Sequence, residues 1–130
     1  MTPNDAVQRL NLVLAHAWMV RNFLKHADEV QEDEAMLDVH RTIFDVIRAV
    51  EPSRERGDQA EYLRRLGNKL PKLRKAAEAL ATDFRRVSSH TNFEMASLSL
   101  TGCVREIEQI LAAVRLPPGV PTSESDSPEA

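Results

Sequence analysis

Leu63, Leu66, Leu70, Leu73, Ala77, Leu80, Phe84 and Val87 step along the chain by 3, 4, 3, 4, 3, 4 and 3 residues without a slip. At about 100° per residue, such steps keep all eight side chains on one face of an α-helix, whereas a strand needs a period of two. An apolar stripe of that length cannot stay in water, so it demands other helices with stripes of their own. The chain supplies three. Met36, Val39, Ile43, Val46 and Val50 form one, and Phe93, Ala96, Leu100, Cys103, Ile107, Ile110 and Val114 form another. The first helix gives Val7, Leu10, Leu14, Ala17 and Leu24, with Trp18 flanking. Four amphipathic helices joined by short connections predict an all-α fold, an antiparallel up-down-up-down four-helix bundle over residues 1–116. Residues 117–130 are rich in Pro, Ser and acidic side chains with one Val, and are expected to form a disordered tail.

Helix boundaries follow from local chemistry. Thr2 offers a side-chain acceptor to the first turn and Pro3 suits the first helical position. Pro52 is expected to end the second helix, because the residue before a proline is pushed out of helical geometry. Asp58 then caps the third. Pro71 lies inside the third stripe. The unbroken phase favours one kinked helix, with Gly67 removing bulk where the proline ring presses. The other reading is a break at Gly67 and Asn68 with a restart at Pro71. Thr91 with Glu94 three residues later has the form of a capping box.

Composition removes several function classes. Lys and Arg number 17 and Asp and Glu 20, for a net charge of -3. Glu124, Asp126 and Glu129 account for that excess, so the first 116 residues are balanced. A globally basic nucleic-acid binder is excluded, although a local basic patch is not. Four glycines are too few for a phosphate-cradling loop, and one cysteine excludes a disulfide framework or a cysteine zinc site. No dinucleotide fingerprint, P-loop or hydrolase motif is present. No cofactor and no metal are expected: His16, His26, His40 and His90 are scattered, and none follows a Glu by three residues as di-iron bundles require. No apolar run approaches ~18 residues, so no membrane partner is expected. The polar start of the chain and its single cysteine suggest a cytoplasmic protein.

Four features carry functional readings. The first helix has a second apolar face, Leu12, Met19 and Phe23, with His16 among them. It reads as a seam for self-association, unless another part of the same chain covers it. Arg21 falls in the core stripe of that helix and must be paired or reach water. Arg64, Arg65, Lys72, Lys75 and Arg86 form a basic outer ridge on the third helix, a possible anion-binding track. Its bland reading is a solvated face. Finally, Arg85 and His90 are separated by four residues. This spacing resembles the motif of HEPN-domain proteins, helical bundles that often dimerise and in many cases cut RNA. The resemblance implies Arg85 stabilising phosphate charge and His90 moving a proton. Arg86 stands where active members usually carry a small polar residue. Ala17–Arg21 and His90–Glu94 also resemble segments of bacterial all-α proteins of no known activity, which implies a helical fold and no chemistry.

The expectation is a non-enzymatic, self-associating interaction module, a homodimer before other oligomers, with a protein partner also possible. The alternative is an RNA-binding or RNA-cleaving bundle using Arg85 and His90, with nucleic acid as partner. A third reading is a small-molecule or metal binder in the bundle interior.

Overall fold

A computed structural model describes residues 1–114. Four helices follow one another: α1 Pro3–His26, α2 Glu34–Arg56, α3 Gln59–Val87 and α4 Thr91–Ala113, with a 3-10 turn at Asp28–Val30 between α1 and α2. The expected tail, 117–130, lies outside the described residues.

Side-chain contacts between helix ends fix the topology. Gln59 donates to Asn4 at 3.0 Å, so the starts of α1 and α3 share one end. Arg86 near the end of α3 pairs with Asp33 before α2 at 2.7 Å. Arg9 near the start of α1 pairs with Glu106 near the end of α4 at 3.7 Å. Neighbours therefore run antiparallel, and the bundle is up-down-up-down. α1 and α3 each pack against both α2 and α4, and also touch across the diagonal.

The core is the set of stripes read from the sequence. Leu10, Leu24, Met36, Ile43, Leu66, Leu73, Leu80, Leu100 and Ile107 are fully buried. Each such side chain contributes roughly 1.5–3 kcal/mol of hydrophobic stabilisation. At the start of α1 the inward residue is Ala6, and Val7 is only half-buried against the core. Thr2 Oγ1 accepts from the Asp5 amide at 3.1 Å, and Asp58 Oδ1 from the Glu61 amide at 3.1 Å, so both expected caps form.

Three local expectations are corrected. Pro52 does not end α2; the helix continues to Arg56. Pro52 sits on the exposed face, where water can solvate the carbonyl one turn back that loses its partner. What ends α2 is Gly57, in the left-handed region at φ 73°, with the Asp58 amide donating to the Ser53 carbonyl at 2.9 Å. This is a Schellman closure, which a side chain at Gly57 would strain. At α4 the cap falls one residue before Thr91, and with Phe93 three residues on it is not a capping box. His90 is the cap, its Nδ1 accepting from the Asn92 amide at 3.0 Å, and Ser88 Oγ holds the His90 amide at 3.1 Å. α3 is continuous through Pro71, but a Cβ at Gly67 would meet nothing within 4 Å. Gly67 is therefore not needed to make room for the proline ring, whose clash is with backbone.

Candidate functional site

The expected seam is largely on the surface. Leu12 is 66% and Met19 63% exposed, and His16 is exposed beside them. Phe23 belongs partly to the fold: it meets Phe93 edge-on at 5.0 Å between ring centroids. The sequence reading missed that α4 continues the face. Met95 is 49% and Leu98 60% exposed on the neighbouring helix. Leu12 and His16 border a shallow groove whose α4 side is Ser99 and Gly102. A Cβ at Gly102 would meet nothing within 4 Å, so that wall is open. Cys103 lies at the groove's base and donates to the Val13 carbonyl at 3.5 Å. Burial, with Glu106 adding to it, pushes its thiol pKa up to about 11, so it is a packing residue.

The basic ridge is not a continuous outer track. Arg64 turns inward, with only 12% of its side chain exposed, and binds Glu61 through Nε at 3.1 Å. Arg65 shares the same carboxylate at 2.7 Å. The two guanidiniums hold the Glu61 carboxyl below its usual range. Arg86 is committed to Asp33, which it likewise holds low, while Asp33 also caps α2 by accepting from the Met36 amide at 3.1 Å. Lys72 and Lys75 remain exposed beside Asp38 and Thr42 in a shallow α2–α3 groove. Three of the five expected anion-binding bases are thus occupied by carboxylates.

Arg85 and His90 each have a local contact of their own. The Arg85 guanidinium lies 4.6 Å over the ring of Phe84. His90 turns toward α4 as its cap. No hydrogen bond joins the two among the described residues. Among those residues there is also no group of three metal-ligating side chains, and no helix is long and apolar enough to cross a membrane.

A further concavity lies between α1 and α2. It has a volume of about 400 Å³, within the roughly 300–1,000 Å³ of ligand sites. Leu14, Trp18, Ile47 and Val50 give it apolar walls, and Asn11, Arg48, Glu51 and Arg54 give it a polar rim. The Trp18 and Phe44 rings are 6.0 Å apart. Arg21 stacks over both, at 4.6 and 4.9 Å, which is how a base is accommodated beside the core stripe. Arg48 lies 5.0 Å over Phe44 and donates to Glu51 at 2.6 Å. Tyr62 of α3 reaches in from behind. It is 1% exposed, and its hydroxyl has no hydrogen-bond partner. Burial pushes its pKa up to about 12, so it stays a neutral donor. A smaller cleft of about 140 Å³ shares Arg54 and Tyr62 and includes Ser53, whose buried hydroxyl is also unpartnered.

No family model, curated protein or solved structure matches the chain. Its surfaces alone speak to its role.

Proposed function

We propose that the protein is a non-enzymatic interaction module that self-associates through the α1–α4 face as a two-fold dimer. The observation that carries this reading is the exposure of Leu12, Met19, Met95 and Leu98, at 66, 63, 49 and 60%, on two adjacent helices. Single exposed apolar residues are ordinary, but four large ones on two adjacent helices favour a contact surface, with Met19 at its border with the α1–α2 cleft. A second copy suits this face as the occupant, because a two-fold axis along the helices sets α1 of one protomer on α4 of the other, so the exposed apolar residues of the two helices face each other. Size is adequate too. Two helices of 24 and 23 residues, about 35 Å long and about 20 Å wide together, present roughly 700 Å². A standard interface uses about 800 Å² per partner. A reducing, cytoplasmic setting suits a chain whose one cysteine is a buried thiol.

Sedimentation of the wild type and of the Leu12→Glu, Leu98→Glu double variant tests the proposal. Both residues are exposed, so the variant should keep its helical circular dichroism while the dimer becomes a monomer. A wild type that sediments as a monomer at about 100 μM, where a specific dimer of this size should form, would refute it. Phe23→Glu is a poorer choice, because it also disrupts the contact with Phe93.

A further inference from the structure

We infer that the α1–α2 cleft binds a small organic monocarboxylate with an apolar body, its carboxylate held by Arg54 and the Tyr62 hydroxyl. The inference is independent of self-association and rests on three observations.

The first is the Tyr62 hydroxyl. Buried hydroxyls nearly always find a partner, and one left alone beside a cleft marks a place for an acceptor. Ser53 adds a second buried, unpartnered hydroxyl at the same end, where the large and small clefts adjoin Arg54 and Tyr62. The second is charge. Of the two arginines on the rim, Arg48 is neutralised by Glu51 at 2.6 Å. Arg54 has no ion-pair partner among the described residues, and its charge is close enough to act on the Tyr62 hydroxyl. One unmatched guanidinium beside neutral donors fits a single negative charge; a phosphate dianion would call for a second free cation. The third is shape. Beyond the donors the walls are Trp18, Ile47 and Val50, which have nothing to offer a polar group but can cover an aliphatic chain or an aromatic ring. A purely apolar guest would leave both hydroxyls and Arg54 unanswered, and a cation would meet Arg54.

The chain has one tryptophan, and it lines this cleft, so its fluorescence reports occupancy. The full chain is titrated with 4-phenylbutyrate and, separately, with the neutral 4-phenyl-1-butanol. The acid should give a saturable change in Trp18 emission and raise the melting temperature. The alcohol should bind about tenfold more weakly or worse. Arg54→Gln and Tyr62→Phe should each weaken the acid by about tenfold, since each removes a hydrogen bond to a charged group. Arg105→Gln, on exposed α4 surface, should leave binding unchanged. Tyr62→Phe keeps the ring and loses only an unpartnered hydroxyl, so folding is not at risk. No saturable change, equal binding of acid and alcohol, or full binding by both cleft variants would each overturn the inference. Sedimentation of the same samples separates it from the dimer: a monomer that binds the acid sustains this inference and removes only self-association.

Discussion

α3 and α1 lie across the bundle diagonal and finish their outer surfaces in opposite ways. α3 finishes its surface with charge: Arg74 reaches Glu108 on α4 at 2.8 Å, Arg86 reaches Asp33 at the head of α2, and within α3 Glu61 gathers Arg64 and Arg65. α1 leaves Leu12 and Met19 bare and borders the cleft with its orphaned hydroxyl. The same stripe spacing built both helices. What differs is the second face, which on α3 is charged and in large part paired within the chain, Lys72 and Lys75 aside, and on α1 is apolar and bare. On the proposals made above, the helix with the more complete surface serves as frame, and the one with bare apolar residues would meet the ligand and the second copy.

The sharpest way to break this contrast is to remove a leucine from each helix. Leu80→Ala on α3 should cost about 3 kcal/mol, because Leu80 is fully buried and the cavity cannot collapse. Thermal melting should fall by about 10 °C or more. Leu12→Ala on α1, measured where the chain is monomeric, should stay within about 0.5 kcal/mol of wild type. Equal losses would mean that α1 is covered within the chain.

Next in size is Asp33→Ala, which removes both the α2 cap and the carboxylate of Arg86. A loss of about 1.5 kcal/mol is expected in urea unfolding. Since exposed ion pairs contribute little, Arg86→Ala should cost under about 1 kcal/mol. If the two variants lose the same amount, the cap contributes nothing.

Acid should loosen the two sides in different windows. His40 on α2 is buried, its Nδ1 has no partner, and burial with the nearby Arg21, Arg41 and Lys25 charges depresses its pKa. Below its unfolded value of 6.5 the unfolded chain takes up a proton that the folded chain resists, so stability falls as pH drops from there. The loss is at most about 1.4 kcal/mol per pH unit. Asp33 and Glu61 are also depressed, but their contribution persists until pH falls below their unfolded values of 3.8 and 4.5. Melting temperatures between pH 7.5 and 5 should therefore decline in the wild type and stay flat in His40→Gln. A decline that survives the substitution points to another group.

The smallest effect should be a gain. Gly67→Ala places a methyl in open space within a helix and should stabilise by about 0.5–1 kcal/mol. A loss would show that α3 uses the glycine to bend around Pro71.

Much of the fold was legible because burial repeats with the helix. Leu63 to Val87 named one face of α3, and Thr2 and Asp58 announced their caps through short side chains at the right offsets. Pro52 misled because a proline's local penalty was allowed to outweigh Gly57, the stronger stop signal five residues on. Arg64 misled because angle alone cannot tell which base a carboxylate will draw inward. Leu12 and Met19 were visible as a second stripe. Met95 and Leu98 fall outside the inward stripe of α4 and make no regular stripe of their own, so the sequence pattern does not single them out. The cleft could not be read at all. It needs Trp18, Arg54 and Tyr62, from three helices, to converge, and no periodicity along one segment encodes that meeting.

The Gly57–Asp58 connection also has a kinetic consequence. α2 and α3 are separated by two residues, so pairing them closes almost no loop, whereas bringing α1 onto α4 closes most of the chain. The hairpins α2–α3 and α3–α4, the latter joined by three residues, are therefore the pairs that loop closure favours early, with α1 condensing onto them later. Strain introduced at Gly57 would then slow folding, while truncations on α1 would show chiefly as faster unfolding.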